Sequence, residues 1–356
     1  MNKKKSILQS NVLYTLIAIL IGFLIGAIFL VIAGISPAVA YGKLFSSIFS
    51  KPKYLLWTLI YASPVILTGL SVAFSFRTGV FNIGAEGQFV MGGLVACVLG
   101  ITLDVPAWIH IPICILAAAA AGCIWSLIVG VLKVKRGIHE VLSFIMFNWI
   151  AFYFSNYVVN LDAIHKVGGG EATKDVLDSS RILFPESVRK FFDCSAVNWG
   201  FIIAVVAGIA IWIIIEKTTL GYKLKAVGFN RHAAQFAGIN SDQSILTALG
   251  ISGALAGLGG AVQVLGMGGR LSQFASQEGF GFEGITVALI GGSSPIGCIF
   301  AGIFYGAMKY GGAKLTIVKA PAEVVNIIMG CVILFIAISH VFKSLFLKIG
   351  KKKEAE

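Results

Sequence analysis

Val12-Leu13-Tyr14-Thr15-Leu16-Ile17-Ala18-Ile19-Leu20-Ile21-Gly22-Phe23-Leu24-Ile25-Gly26-Ala27-Ile28-Phe29-Leu30-Val31-Ile32-Ala33-Gly34 runs for 23 residues without a charged side chain. A hydrocarbon core about 30 Å thick takes roughly 20 apolar residues in helical form, so this stretch reads as a membrane span. Lys3-Lys4-Lys5 ahead of it and Ala38-Val39-Ala40 behind it imitate a secretory signal with its cleavage site. A signal core is only about 7 to 15 residues long, and the length here favours a retained first span.

The pattern recurs along the chain. Apolar runs bounded by charge lie at about 54–76, 84–103, 107–132, 138–160, 198–215, 244–266, 281–292, 296–313 and 322–342. With the first, they make ten spans that consume roughly 200 residues, well within a chain of 356. Hydrophobic residues make up 57% and charged residues 12%, with a mean hydropathy of +0.90; an ordinary soluble domain carries roughly 25% charge. The predicted fold is therefore all-α, a polytopic membrane protein with about ten transmembrane helices in one domain over residues 1–356. A soluble enzyme and a nucleic-acid partner are excluded on the same grounds. The net charge of +12 falls between apolar runs, where it suits anionic headgroups of the bilayer and fixes orientation. Five of the six Cys fall in or beside apolar segments and only Cys194 in a polar loop, so neither a disulfide framework nor a zinc site is expected.

An even number of spans puts both termini on one side. With the termini inside, sixteen of the 28 cations fall in inner segments and eleven in outer ones, Lys309 lying near the outer end of the ninth span. The bias predicts cytoplasmic termini, comprising residues 1–11 and a basic tail at 343–356. Two polar segments remain, an external loop at 161–197 and an inner loop at 216–243. Gly22 with Gly26, Gly253 with Gly257 and Gly302 with Gly306 have the spacing that lets helix backbones approach, within one bundle or at a dimer seam. A weak internal echo links Gly69-Leu70-Ser71-Val72-Ala73-Phe74 to Gly284-Ile285-Thr286-Val287-Ala288-Leu289. The 281–292 run is too short to cross alone, and short apolar segments point to a transport route.

Ion-coupled carriers place ionisable groups at mid-membrane depth. Here Glu86, Asp104, Glu140, Glu283 and Glu323 fall at span ends, which argues against coupling to protons or sodium. The five His have no metal-ligand spacing, and no phosphate-cradling GxxxxGK[ST] occurs; no cofactor is expected in this chain. In Arg77-Thr78-Gly79-Val80-Phe81-Asn82-Ile83-Gly84-Ala85-Glu86-Gly87-Gln88, Asn82 reads as an N-cap, Glu86 suits the first turn of a helix, and Arg77 is placed to pair with Glu86; cap and gate are both open as roles for the three. Uncharged polar groups within spans, Thr68, Ser71, Ser75, Asn148, Gln263 and Asn326, suit either a neutral solute path or interhelical hydrogen bonds.

In the inner loop Asn230 is placed to cap a helix of about two turns that Gly238 ends. That helix, with Arg231, His232, Ala233, Ala234 and Phe236, reads as a docking element for a groove on a partner, or as a helix lying on lipid. His232-Ala233-Ala234 followed by Gly238 resembles the coupling loop of permease subunits in ATP-binding-cassette (ABC) importers, with His where a Glu usually leads. Gly69–Phe76, Arg77–Gln88, Glu140–Ala151 and Gly279–Gly297 resemble the permeases grouped with branched-chain amino acid and ribose importers, most closely the nucleoside-importing members that work with basic-membrane-protein-type lipoproteins. The resemblance covers nearly the whole chain and is weakest at 161–197.

That resemblance implies a type II-like ABC importer permease in a prokaryotic plasma membrane. It implies pairing with a second, similar permease, cytoplasmic ATPase subunits that hold ATP and magnesium, and an external binding lipoprotein that delivers cargo. Nucleoside, purine nucleoside above all, is the implied cargo, with a simple sugar such as ribose as the rival. A secondary carrier or channel is the rival from another class.

Overall fold

The computed structural model describes residues 11–337 apart from 169 and 322. The basic tail at 343–356 and all but the last residue of the inner segment 1–11 lie outside the described residues.

Each apolar run folds as helix: α1 (Asn11–Ile32), α3 (Pro52–Phe76), α4 (Ala85–Thr102), α5 (Ala107–Arg136), α6 (Glu140–Val159), α8 (Gly200–Lys217), α11 (Ser241–Val262), α12 (Phe280–Ile290), α13 (Pro295–Ala313) and α14 (Glu323–Ala337). A π-helical turn, Gln263–Gly268, extends α11. Seven helices, α1, α3, α4, α5, α6, α8 and the extended α11, are long and apolar enough to cross a bilayer by themselves. Among the described residues, seven of the ten expected spans thus meet that length and polarity by themselves. The eleven residues of α12 rise only about 16 Å, half a membrane thickness.

Four helices lie outside the apolar runs: α2 (Pro37–Phe49), α7 (Glu186–Phe191), α9 (Thr219–Phe229) and α10 (Arg231–Phe236). Hydropathy misses them because they are short or carry cations on a wet side, as Lys43 in α2 and Lys223 and Lys225 in α9 do. Their ends nonetheless follow local rules. Pro37 opens α2 at its first position, and the Thr218 hydroxyl accepts from the Gly221 amide to start α9. Among the described residues there is no strand, only three isolated bridges within and beside the 161–197 segment.

The chain divides into two compact units, Leu55–Gly306, and Met1–Tyr54 with Ala307–Glu356. In the described part of the terminal unit, α1 lies against α14, with Gly22 facing Val332 and Gly26 facing Ile328. The Tyr41 hydroxyl of α2 donates to the Phe23 carbonyl at 2.6 Å.

In the central unit α4, α5 and α11 meet through glycine. A Cβ on Gly92 of α4 would overlap the Gly257 backbone, and one on Gly257 or Gly253 would overlap the backbone of α5 at Ala118 or Gly122. Gly302 and Gly306 of α13 lie in the same way against Ile66 and Ala62 of α3. All three glycine pairs therefore serve close packing inside a unit. Lys133, Lys135 and Arg136 occupy the last turn of α5 before Gly137 in the left-handed region at φ 67°, and cations there meet the negative end of the helix dipole.

The 161–197 segment folds back on the end of α11. The amides of Thr173, Val176 and Ile182 donate to the carbonyls of Leu271, Gly269 and Leu265, and Ile164, Val176, Ile182 and Val197 are buried. On its exposed side Lys166 Nζ donates to Asp175 at 2.7 Å. That bond holds the Asp175 carboxyl below its ordinary value, so its small contribution is present at neutral pH and is lost as pH falls through the carboxylate range.

Candidate functional site: a buried polar junction and the loop that touches it

Two helices begin at one carboxylate. Glu86, second residue of α4, is buried; Oε1 accepts from the Gly279 amide at 2.7 Å and Oε2 from the Gly281 amide at 2.6 Å. Both amides belong to the start of α12, whose first residue is Phe280. The negative charge therefore sits at the positive ends of α4 and α12 together. A Cβ on Gly281 would overlap the Glu86 backbone, so only glycine lets the two ends come this close. The expected pairing of Arg77 with Glu86 gives way to this clamp, and Arg77 Nε instead donates to the Ser293 carbonyl at 3.1 Å.

Around the 77–84 turn a polar network fills the interior. Asn82 Nδ2 donates to Gln88 Oε1 at 2.9 Å and to Ser252 Oγ at 2.6 Å, and Asn82 Oδ1 accepts from the Gly84 amide and from Gln88 Nε2. Asn82 thus stands two residues before the capping position, which Gly84 occupies; it closes the turn rather than capping α4. Ser252 Oγ donates to the Ser71 carbonyl at 2.7 Å. Thr68 Oγ1 donates to the Phe280 carbonyl at 2.9 Å, and Asn148 of α6 accepts from the Gly87 amide and donates to the Ile83 carbonyl.

Six residues singled out in the sequence, Thr68, Ser71, Arg77, Asn82, Glu86 and Asn148, thus converge on one junction. Apart from Arg77 they are buried and engaged with protein. Ser75 turns to the Val72 carbonyl within its own helix. Gln263 lies apart on the π-helical turn, lining a cavity of about 170 Å³ with Phe89, Val90, Phe274, Arg270 and Glu278. Asn326 is an exposed residue of the terminal unit. Sequence reasoning missed Ser252 and gave no role to Gln88, Gly279 or Gly281. Ser252 was legible only as a polar residue midway along an apolar run, a signal shared with many others.

The echoed segments meet each other here. A Cβ on Gly69 would touch Val287, and one on Gly284 would touch Thr68. Weak as a sign of duplication, the echo marks two stretches of small residues packed face to face.

In the loop, Asn230 Oδ1 accepts from the Ala233 amide at 3.0 Å and starts α10, and Gly238, at φ 78°, ends the segment in the left-handed region. Arg231 pairs with Asp242 at 2.6 Å across the outgoing turn. The helix faces differ from expectation at one residue. Ala234 is buried with Val80, Phe144, Val227, Ile245 and Leu249, so it roots α10, whereas Phe236 is 95% exposed and Phe229 89%. Arg231, His232 and Ala233 are exposed beside them.

Gly228 ties this loop to the junction. A Cβ there would overlap the Arg77 carbonyl, and Gly79 lies against the Gly228 backbone. A cavity of about 380 Å³ opens beside the contact, lined by Phe76, Arg77, Lys225, Phe229 and Ser293. The route from the exposed loop to the carboxylate clamp is therefore short: α9, the 77–84 turn, then Glu86.

Residues 54–337 match the model of the branched-chain amino acid transport system permease component. The chain belongs to this permease family. The permease is 39% identical over 345 residues to the guanosine ABC transporter permease protein NupP of Bacillus subtilis, covering 96% of this chain and 98% of that protein. It is 35% identical to the nucleoside ABC transporter permease protein NupB of Lactococcus lactis, covering 97% and 96%. Identity to the glucose ABC transporter permease protein TsgB13 of Haloferax volcanii is 31%, covering 92% and 87%. No solved structure matches the permease. Membership and the apolar helices make it a multi-pass transport subunit of the plasma membrane rather than an enzyme.

Proposed function

We propose that this permease forms the membrane path of an ATP-driven importer of nucleosides, purine nucleosides such as guanosine foremost. The observation that carries the reading is the near full-length identity of 39% to a guanosine permease and 35% to a nucleoside permease, above the 31% to a glucose permease. Chemistry agrees with it. In the span helices Glu86, Glu140, Glu216, Asp242 and Glu323 lie near helix ends, and Glu283, in the first turn of α12, is hydrogen-bonded to Tyr305 of α13; a neutral cargo needs no further counter-charge at depth. Uptake of labelled guanosine by a strain that depends on this importer is the direct test. Excess inosine is expected to compete at least tenfold better than ribose or glucose; the reverse order replaces the nucleoside reading with the sugar reading.

In this scheme the chain crosses the membrane ten times, α13, α14 and α12 completing the count, the half-length α12 being continued across by the segments that flank it, with both termini in the cytoplasm. It pairs with a second, similar permease. ATPase subunits holding ATP and magnesium dock on α9 and α10, and a binding lipoprotein delivers cargo near 161–197. Nucleotide binding pulls on the loop, and the Gly228 contact passes the displacement to the 77–84 turn and the junction, so the permease supplies two-state geometry and the partner supplies energy.

Phe236 is the sharpest probe of docking because it is exposed and supports nothing within the chain. Phe236→Asp places a charge at the centre of an apolar contact and is expected to cut uptake at least tenfold with normal amounts of permease in the membrane. Ala234→Glu instead unroots α10 and is expected to lower the amount of folded protein. Full uptake by Phe236→Asp rules out docking through this face.

A further inference from the structure

One side of α6 departs from what lipid would select. Leu142, Met146, Trp149, Tyr153 and Tyr157 follow one another at helical spacing, and all are exposed. The 20 residues of α6 rise about 30 Å, a full hydrocarbon thickness. Trp149 is the tenth, so it sits at mid-membrane depth, and Tyr153 lies about 9 Å from the far end. Trp149 is 44% exposed and Tyr153 65%, yet neither the indole N–H nor the phenol hydroxyl bonds to a described residue.

Lipid-facing Trp and Tyr gather at the two membrane surfaces, where the polar end stays wet. Trp108 and Trp199, at the starts of α5 and α8, obey that rule, and Trp212, within the last turns of α8, is capped over its ring by Lys217. Trp125, deep within α5, satisfies its N–H on the Phe147 carbonyl. Trp149 does neither. In hydrocarbon its N–H and the Tyr153 hydroxyl would remain unpaired, which no lipid contact offsets. Water or a hydrogen-bonding solute resolves both at once.

The rings are also held in place. Trp149 stacks on Tyr153 with centroids 6.0 Å apart and planes at 28°, and Phe152 props both rings edge-on. Phe152 stacks in turn on Phe274 at 6.4 Å. Phe274 is pinned through its backbone by two hydrogen bonds to Asn156 of α6, and it lines the cavity that holds Gln263. An aromatic series therefore runs from that cavity, beside the 161–197 segment, to the middle of the membrane.

We propose that Trp149 and Tyr153 line the solute path and form a stacking surface for a planar heterocyclic base, with the indole N–H and phenol hydroxyl bonding to the polar groups of the cargo. Stacking suits transit because every base has a π-face and the attraction is strong enough to admit cargo yet weak enough to release it. The base as occupant rests on the nucleoside reading above; the wetness of the face does not.

The test uses the complete importer, with its ATPase and binding protein, in proteoliposomes. Trp149→Cys and Tyr153→Cys are treated with the charged reagent 2-aminoethyl methanethiosulfonate, against the unsubstituted chain, whose six thiols are buried or half-buried. Leu116→Cys, on the exposed side of α5, serves as the lipid-facing control. Both path variants are expected to react at least tenfold faster than Leu116→Cys, and guanosine to slow them at least threefold while ribose does not. Reaction as slow as Leu116→Cys, with guanosine uptake intact in the unsubstituted importer, overturns the path assignment through lipid or a dry permease seam and leaves the nucleoside reading standing. Fast reaction slowed by ribose alone overturns the stacking of a base and the nucleoside reading together, and fast reaction slowed by neither removes the cargo contact. Trp149→Ala is expected to lower maximal guanosine uptake at least fivefold and Trp149→Phe to restore it.

Discussion

Glu86→Ala is expected to reduce guanosine uptake at least tenfold and to lower the amount of permease recovered folded from the membrane. The carboxylate is buried, and its two oxygens accept separate backbone amides, Gly279 and Gly281. Hydrogen bonds to a charged group contribute about 1.5–3 kcal/mol each, so the clamp is worth about 3–6 kcal/mol, a large share of an ordinary domain's stability of about 5–15 kcal/mol. Alanine also leaves both amides unpaired, that of Gly281 buried and that of Gly279 part-buried. Glu86→Gln keeps one acceptor but turns an N–H₂ toward an amide donor, so it is expected to fall close to alanine rather than midway. Uptake by Glu86→Ala at the unsubstituted level sinks the clamp as a functional element.

Gly257→Leu is expected to remove folded permease almost completely, read as the loss of the monodisperse peak in mild-detergent gel filtration. Its Cα is approached by α4 on one side and α5 on the other, and a Cβ alone already overlaps the Ala118 carbonyl. Overpacking a core ordinarily costs about 1–3 kcal/mol because flexible side chains yield. Here the obstacles are backbone atoms on two helices, so both crossings must widen and the packing between them is lost. Gly42→Leu, on an exposed turn of α2 where no heavy atom lies within 4 Å, is the matched control and is expected to leave the peak unchanged. Equal recovery of Gly257→Leu and Gly42→Leu contradicts the packing described for α4, α5 and α11.

Much of the fold is legible in the sequence because the bilayer imposes a length and a polarity that composition reveals directly. The start at Asn230 and stop at Gly238 are legible for a different reason, since capping is local chemistry between residues three apart. Where Glu86 finds its partners is not legible, because Gly279 and Gly281 lie almost 200 residues away and carry no side chain to announce a contact. Arg77, nearer and of opposite charge, was the natural expectation, and it lost to two amides at a helix start. Ala234 shows the limit in another way. Six residues of helix have too few turns for periodicity to separate the rooted side from the exposed one, and only packing against Phe144 and Leu249 decides it. The α6 face is not legible in the sequence, because an aromatic residue in an apolar run reads as hydrophobic bulk until its depth and its missing partner are known.

The glycine crossings carry a mechanical consequence. Helices in backbone contact cannot roll or slide without first separating, so α4, α5 and α11 behave as a single stiff wedge. In the transport cycle proposed above, the stroke would pivot about that wedge, with the bending taken up by the turns that flank it at 77–84, 137–139, 237–240 and 269–279. On that reading the wedge would act as the fulcrum, and a compound that splinted one of these turns would be expected to stall uptake without weakening the binding steps assigned to the partner subunits.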